Sequence, residues 1–478
     1  MLMKTVFHNC ERVKTKHLIN SLIDNPGSLL ILRHASVKHS ITIDPGLEKL
    51  LDSKEIKHRN HPGVRKVPPK QLPPNLINAA YKLICNSQSE KLIMKTADEL
   101  IKFISLRRLP IEQEEMDARL KRILHSDDHP NNLPETPAKE KLRIAQKQIS
   151  SEIKRWKPIE FDEIQSLAYL AKRLAANYAS ISKVFTEINT KLPQFQPKTF
   201  FDFGSGVGSA VWSANEMWGH SIHEYFCVDS SPDMIDIAQK LTTDEDTGEC
   251  SIKNVNYRQF LPASENIKYD VVVSAFSLLD LPSVSERLRV IDTLWRKTND
   301  ILVIIEYGNL SGYYSVMDAR DYILHIENNS SRKFKRNSTG AHLLLPCPHS
   351  FQCPLLAQDH KKVCGTHVLY EDIFPRHRNI CKRDWISYVV FKKGHKLKDE
   401  NSWPRIIQPV MRKSRRAICR MCCNDGKFKE LTITKNKNRH AYRCAASSSM
   451  GDFLPFNIEE LDTEEVLDLQ EDTSENEK

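Results

Sequence analysis

The hydrophobic and polar positions divide the chain into a helical part followed by an alternating part. From Pro74 onward, apolar residues recur at three- and four-residue spacing, and a second such stretch covers 92–104. This periodicity predicts amphipathic helices. Further helices are predicted over about 138–155 and 161–191, and Pro193 ends the last of them. Short apolar runs then alternate with helical patterns, which is typical of an α/β domain with a mainly parallel sheet.

A glycine-rich turn follows the first apolar run of the alternating part. The predicted strand 199–203 leads directly into Gly-Ser-Gly-Val-Gly. Glycines are needed in such a turn because the backbone approaches a ligand closely and adopts φ values that other residues resist. The next predicted strand, 225–229, ends in an aspartate that is placed to accept the hydroxyls of a ribose. The candidate cofactor-binding residues are Asp202, Gly204, Ser205, Gly206, Gly208 and Asp229.

The spacing of these residues favours one cofactor. Asp202-x-Gly204-x-Gly206-x-Gly208 resembles motif I of the class I methyltransferases, whereas nicotinamide-binding proteins usually lack the leading aspartate. S-adenosylmethionine is therefore expected, with another nucleotide or a ligand-free relic of the fold as alternatives. The later segment 276–282 matches neither the Asn/Asp-Pro-Pro-aromatic loop of amino-methylating enzymes nor the Pro-Cys pair of cytosine-C5 enzymes. No catalytic residue is predicted, and whether the chain is an enzyme stays open.

The cysteines are concentrated in the last third of the chain. Eight of the twelve lie between Cys347 and Cys444. Because the N-terminus lacks an apolar signal-peptide core, metal ligation is favoured over a disulfide scaffold. Four thiolates close either a zinc site or an iron–sulfur site. The spacing of Cys347 and Cys353 is too wide for a zinc knuckle and favours a [4Fe–4S] cluster. The alternatives are a zinc site at Cys419, Cys422, His440 and Cys444 and thiols that bind no metal.

The formal charge of +9 is unevenly distributed. From 459 to 478 there are ten carboxylates and one lysine, a net of −9, so the remainder carries +18. A basic body suits a polyanion such as RNA. The runs 332–336 and 412–416 are candidate phosphate contacts. Trp385 and Tyr388 could stack on a base or lie in a strand core. No uninterrupted run of 18 apolar residues occurs, so no membrane span is predicted.

Several short motifs occur in one order between about Pro74 and Pro455. They are Ala176-Asn177-Tyr178-Ala179, Phe195-x-Pro197, Phe201-Asp202-Phe203-Gly204-Ser205-Gly206, Trp212 and Trp218, Glu306-x-Gly308, Met317-Asp318-Ala319-Arg320-Asp321, Cys347-Pro348-His349 and Cys419-x-x-Cys422-Cys423. Single motifs of this kind are common, but their shared order is specific. The chain resembles the methyltransferase-like protein 17 family of mitochondrial small-ribosomal-subunit assembly factors.

The resemblance implies ligands, a location and partners. It implies that Cys347, Cys353, Cys364 and one later cysteine hold a [4Fe–4S] cluster. We choose Cys422 by matching the family's last ligand through the Cys-x-x-Cys-Cys run, with Cys419 as the alternative. The implied location is the mitochondrial matrix, and the acid-poor first 23 residues are compatible with a transit peptide. The implied partners are the RNA and proteins of the small ribosomal subunit, with no membrane and no DNA.

The predicted fold is a class I S-adenosylmethionine-dependent methyltransferase (Rossmann-like) α/β core with an N-terminal helical region and a C-terminal cysteine-rich extension. The predicted function is assembly of the mitochondrial small ribosomal subunit, with methyl transfer weak or lost. The alternatives are an active ribosomal RNA methyltransferase and a zinc-stabilised RNA-binding module. The predicted segments are a basic segment with a possible transit peptide (1–70), a helical region (71–192), the α/β core (193–340), an iron–sulfur and RNA-binding extension (341–456) and a disordered acidic tail (457–478).

Overall fold

The computed structural model describes the chain between residues 39 and 460. Within that range it leaves out 88, 113–114, 119–120, 122–142, 144–146, 148–155, 244–247, 263, 265, 330–339, 358–361, 375–380 and 397–401. The chain divides into two compact units. The larger unit, Ile41–Asn457, holds both candidate sites and the main sheet, and of the smaller unit only 39–40 and 458–460 are described.

Helices and strands alternate through most of the larger unit. The helices are α1 (Pro45–Asp52), α2 (Pro74–Cys85), α3 (Glu90–Leu106), α4 (Glu163–Lys191), α5 (Ser209–Trp218), α6 (Pro232–Thr242), α7 (Val284–Lys297), α8 (Leu310–Asn329), α9 (Pro354–Ala357) and α10 (Arg439–Ser447). The strands are β1 (His39–Ile43), β2 (Thr199–Phe203), β3 (Glu224–Val228), β4 (Val255–Arg258), β5 (Tyr269–Ala275), β6 (Thr298–Tyr307), β7 (Ala341–Leu345), β8 (Thr366–Glu371), β9 (Cys381–Lys393), β10 (Arg405–Ile406), β11 (Met411–Lys413), β12 (Arg416–Cys422), β13 (Phe428–Thr434) and β14 (Phe456–Glu460).

The main sheet has eight strands in the order β4-β3-β2-β5-β6-β9-β7, with β8 pairing to β9. The first five are parallel, and β9 runs antiparallel to both β6 and β7. Strand β2, the first of this sheet along the chain, lies near its centre, and the later parallel strands are added on both sides of it. The antiparallel strand β9 lies between β6 and β7. This is the arrangement of class I methyltransferases. The predicted fold class is therefore confirmed. The order reverses at β2, which is where open α/β sheets bind ligands.

Two hydrophobic cores cover the faces of this sheet. One is built from α2 to α6, with α4 lying across the sheet, and the other from α7 and α8. Helix α4 begins where the Asp162 carboxylate accepts a hydrogen bond from the Gln165 backbone N–H at 2.7 Å, and it ends shortly before Pro193. A capping side chain and a following proline are ordinary helix boundary signals. The helix predicted over 161–191 is thus present.

A second, smaller sheet lies near the C-terminus. Strand β12 is central and pairs antiparallel with β10, β11 and β13, and α10 packs against β12 and β13. Among the described residues, no helix is long and apolar enough to cross a membrane.

The structure differs from the predicted segments in three places. No helix or strand was predicted in the basic segment 1–70, yet β1, α1 and a short 3-10 turn over His58–Asn60 lie there. The boundary predicted at residue 340 comes directly before β7, and β7 to β9 complete the main sheet, so core and extension share one sheet. Strand β14 occupies the start of the segment predicted to be a disordered tail. The run 332–336, most of the helix predicted over 138–155 and the tail beyond 460 lie outside the described residues.

Candidate functional site

The glycine-rich turn lies at the carboxyl end of β2. The backbone N–H groups of Gly204 and Ser205 both donate to the Val228 carbonyl, at 2.8 and 3.0 Å, which ties the turn to β3. Gly204 has φ +68°, and a Cβ there would lie 2.4 Å from the Ser277 Cβ. Only glycine meets both demands, since positive φ and close approach each disfavour a side chain. Gly208, also at positive φ, begins α5.

The two predicted acids lie at neighbouring strand ends but in different surroundings. The Asp229 carboxylate accepts hydrogen bonds from the N–H groups of Gly206 (2.7 Å) and Ser231 (2.9 Å). Asp202 is 1% exposed, and its Oδ2 atom has no hydrogen-bond partner among the described residues. Burial, and then the nearby charge of Asp229, raises the pKa of Asp202 to about 8. A buried carboxyl oxygen without a partner is rare, so it marks a position where a ligand donor fits.

Helix α4 contributes residues to this pocket that the sequence analysis did not assign. Tyr169 and Asn177 line it together with Asp202, the glycine turn and Phe276. The Asn177 amide donates to the Tyr169 hydroxyl at 2.8 Å and accepts from Arg173 at 2.8 Å. These three residues recur at four-residue spacing, so they share one face of the helix. That polar face was the signal available in the sequence.

The segment after β5 is held by contacts from several directions. The Glu306 carboxylate accepts from the Leu278 N–H at 2.8 Å, and Trp156 donates from its indole nitrogen to the Leu279 carbonyl at 2.9 Å. Arg107, whose side chain is 2% exposed, forms an ion pair with Asp280 at 2.6 Å. The segment is thus held by Glu306 of β6 and, from outside the sheet, by Arg107 and Trp156.

The four predicted cluster ligands are brought together by the fold. Cys347 and Cys353 lie between β7 and β8, Cys364 lies just before β8, and Cys422 ends β12. All four pack into the core formed by α7 and α8. Burial raises the pKa of Cys422, and the adjacent Cys347, Cys364 and Cys353 raise it further. Two segments that are distant in the sequence thus converge on one site, in which Cys353 and Cys422 are buried and Cys347 and Cys364 are half-buried.

Each of the four sulfurs has a polar neighbour that can donate a hydrogen bond. The Tyr313 hydroxyl lies 3.2 Å from the Cys353 sulfur, and the His349 Nε2 atom lies 3.1 Å from the Cys422 sulfur. The Arg405 guanidinium donates to Cys364 at 3.6 Å. Burial raises the pKa of Cys347, and the positive charge of the neighbouring Arg320 opposes the rise. The polar neighbours of the four sulfurs are thus Tyr313, His349, Arg405 and Arg320.

Sequence reasoning did not assign these donors, although two of them stand in motifs that it quoted. His349 follows Cys347-Pro348, and Arg320 is the arginine of the motif 317–321. Arg405, 2% exposed, lies opposite Cys422 on the paired strand β10. No local sequence pattern identifies Arg405, because its position beside the cysteines depends on the pairing of β10 with β12.

The alternative zinc ligands are not brought together. Cys419 is three residues from Cys422 on β12, so its side chain points to the opposite face. Burial alone raises the pKa of Cys419 and of Cys444, each to about 12. His440 instead contacts His58 at 3.0 Å and Asp52 at 3.1 Å. Within the described ranges, no group of three or more Cys, His, Asp or Glu side chains is arranged around a single metal-ion position.

The two candidate stacking residues have different environments. Tyr388 is 3% exposed and donates to the Glu187 carboxylate at 2.8 Å, so it is a core residue. Trp385 is 42% exposed on β9. The basic run 412–416 is exposed on the β11–β12 hairpin.

The sheet order and the glycine turn at its switch point define a protein with a class I methyltransferase fold, to which a buried four-cysteine site has been added. Comparison with known proteins gives the family of the chain. A family model described as mitochondrial small ribosomal subunit Rsm22 matches residues 163–455. The human mitochondrial ribosome assembly protein METTL17 is 37% identical over 401 residues, 83% of this chain and 86% of that protein.

Two further likenesses are weaker. The mitochondrial ribosome assembly protein RSM22 of Saccharomyces cerevisiae is 20% identical over 417 residues, which is 60% of this chain and 66% of that protein. Magnesium protoporphyrin IX methyltransferase of Synechocystis, solved with bound S-adenosylmethionine, is 10% identical, with 58% of this chain and 91% of that one covered and a TM-score of 0.28. The chain belongs to the Rsm22 family, as predicted, and is mitochondrial.

Proposed function

We propose that this protein assembles the mitochondrial small ribosomal subunit in the matrix. It binds ribosomal RNA, S-adenosylmethionine and a [4Fe–4S] cluster, and it transfers methyl groups weakly or not at all. The family supports the first part, since relatives are named ribosome assembly proteins. The observation that carries the cofactor part is the convergence of Cys347, Cys353, Cys364 and Cys422, each beside a donor.

This ligand set fits a cluster better than a single ion. In a [4Fe–4S] cluster each cysteine binds a different iron, so the four sulfurs surround the inorganic core and do not converge on one point. That matches four neighbouring cysteines with no described group arranged for a single ion. Hydrogen bonds to the sulfurs are a usual means of stabilising and tuning such clusters. The cluster, when bound, supplies covalent cross-links between the β7–β8 segment and β12.

The glycine turn supports binding of S-adenosylmethionine. Asp202 offers a buried oxygen without a partner, and Gly204 and Gly206 leave the backbone accessible at the switch point. The Asp229 oxygens already accept one backbone N–H each, yet each keeps a second acceptor site for a ribose hydroxyl. The cofactor, when bound, supplies an activated methyl group and also stabilises the folded state by mass action.

The segment after β5 supports weak or absent methyl transfer. Trp156, Arg107 and Glu306 hold this segment in place, and it lacks the residues that position a methyl acceptor. Bound S-adenosylmethionine therefore acts in this account as a structural ligand. The alternative, an active ribosomal RNA methyltransferase, predicts incorporation of labelled methyl groups into the small-subunit RNA.

The test is binding to the small subunit. Wild-type protein and a Cys347→Ser variant would be mixed with mitochondrial small-subunit precursors and separated on sucrose gradients. We expect the wild type to sediment with the precursors and the variant to remain largely at the top. Normal sedimentation of the variant with the precursors would show that the cluster is not needed for binding. A wild type that does not sediment with the precursors would contradict the assembly function.

A further inference from the structure

Two segments that are separate in the sequence, the β11–β12 hairpin and residues 435–443, place cations at one end of the C-terminal sheet. Lys413 pairs with Arg416 across the β11–β12 hairpin, and Arg415 forms the turn with φ +57°. Arg416 lies opposite Thr434, and the Lys435 N–H donates to the Arg415 carbonyl at 3.0 Å. We call this cluster the basic end; its cations are Lys413, Arg415, Arg416, Lys435, Lys437, Arg439 and Arg443.

The basic end is exposed and its charges are not balanced. All seven cations are exposed, and none forms an ion pair with a carboxylate within the described part of the chain. The nearby acid is Asp52, which pairs with His440 at 3.1 Å. The opposite end of the same sheet is different, since Arg420 pairs with Glu430 at 2.5 Å and Lys429 with Asp425 at 2.9 Å.

This contrast argues against a role for these cations in folding. Seven neighbouring positive charges repel one another, and none of them is buried where it could contribute packing. The sheet would be more stable with neutral or paired residues there. Such a surface is stabilised when a polyanion binds to it and the polyanion's counterions are released.

A phosphate backbone fits the surface better than a lipid membrane. Peripheral membrane surfaces combine cations with inserted apolar side chains. At the basic end the one large apolar side chain with much exposure is Met411, at 37%, among the described residues. Cations on a hairpin, a turn and a helix instead form a ridge that can follow phosphates without reading bases. We propose that the basic end is the contact surface for the phosphate backbone of structured RNA. The inference rests on the proposed function and names the surface that would serve it.

The test compares two fourfold variants of the full chain. In the first, Lys413, Arg415, Arg416 and Lys435 are changed to alanine. In the control, four exposed cations of the N-terminal helical region are changed to alanine, which removes the same charge: Lys91, Lys95, Lys102 and Arg108. The probe is mitochondrial small-subunit ribosomal RNA transcribed in vitro, with affinity measured between about 50 and 200 mM salt. Thermal unfolding of both variants checks that they fold.

The expected result is specific to the first variant. Its slope of log affinity against log salt should become shallower by about 3, because each phosphate contact contributes about 0.7–0.9. Its affinity should fall on the order of 10²-fold, and that of the control by less than about fivefold. Equal losses in the two variants would overturn the proposal. The proposal would also be overturned if the first variant bound RNA normally but no longer bound vesicles containing anionic phospholipid. That result would make the surface a membrane contact. Sedimentation of the wild type with small subunits tests the proposed function separately.

Discussion

The His349 Nε2 atom lies 3.1 Å from the sulfur of Cys422. The two residues are 73 positions apart, and both are buried, His349 at 6% and Cys422 at 8% exposure. This contact joins the β7–β8 segment to the end of β12. In the proposed account it orients the fourth ligand of the cluster, so its loss should be visible in the cluster itself.

Changing His349 to alanine should weaken retention of the cluster without removing a ligand. Partners of this kind typically change metal affinity about 10–100-fold. We expect faster loss of visible absorption when the purified protein is exposed to a chelator. The control is His220→Ala, at an exposed position away from the cysteines. Identical bleaching rates for the two variants would contradict a supporting role for His349.

Gly204→Ala and Gly206→Ala should lower the free energy of unfolding by different amounts. Both have positive φ, +68° and +50°, so each substitution introduces backbone strain of about 1 kcal/mol. At Gly204 the new Cβ would also lie 2.4 Å from the Ser277 Cβ, whereas at Gly206 it meets nothing within 4 Å. We expect Gly204→Ala to lower the free energy of unfolding by at least about 1 kcal/mol more than Gly206→Ala. Equal losses in urea unfolding would show that the turn is not packed as described.

Asp202 should make stability depend on pH. Its pKa is about 8 in the folded protein, against 3.8 for an ordinary aspartate, because burial disfavours the charged form. The folded state therefore keeps a proton that the unfolded state releases. The resulting stability is complete below about pH 4 and is lost as the pH rises towards 8.

An Asp202→Asn variant lacks this titration. Its melting temperature relative to that of the wild type should rise between pH 5 and pH 8. The reason is that the wild type loses at least about 1 kcal/mol of stability for each pH unit in this range. Asp236→Asn, on the exposed surface of α6, serves as the control. A difference between Asp202→Asn and wild type that does not change with pH would contradict a raised pKa.

The ion pair of Arg107 and Asp280 should stabilise the segment after β5. Changing Arg107 to methionine removes a buried partner and leaves a carboxylate that is one-third exposed, so about 2 kcal/mol should be lost. Combining it with Asp280→Asn should cost less than the sum of the single changes, with a coupling energy of about 1 kcal/mol. Additive losses in urea unfolding would mean that the contact does not hold the segment.

The sequence predicted the parts of the fold that depend on local patterns. The apolar runs of β2, β5 and β6 and the glycine turn identify the parallel sheet, and Pro193 marks the end of α4. The antiparallel strand β9 was not predicted, because its place between β6 and β7 depends on pairing between distant residues. For that reason the boundary predicted at residue 340 separated strands that belong to one sheet.

For the candidate sites too, local patterns could be predicted from the sequence, whereas contacts between distant residues could not. Motif spacing and family resemblance pointed to Cys347, Cys353 and Cys364, but spacing alone left Cys419 and Cys422 as alternatives. Strand geometry separates them, since residues three apart on β12 face opposite sides. The donor Arg405 and the pocket residue Asn177 reach their sites only through strand pairing and helix packing.

The central claim is tested most directly by the iron and sulfide content of protein purified without oxygen. We expect about four irons and four sulfides per chain, as a [4Fe–4S] cluster requires, with a broad visible absorption. The Cys422→Ser variant should lose both, and Cys419→Ser, changed on the opposite face of the same strand, should keep both. Zinc without visible absorption in the wild type, or equal loss in the two variants, would contradict the account.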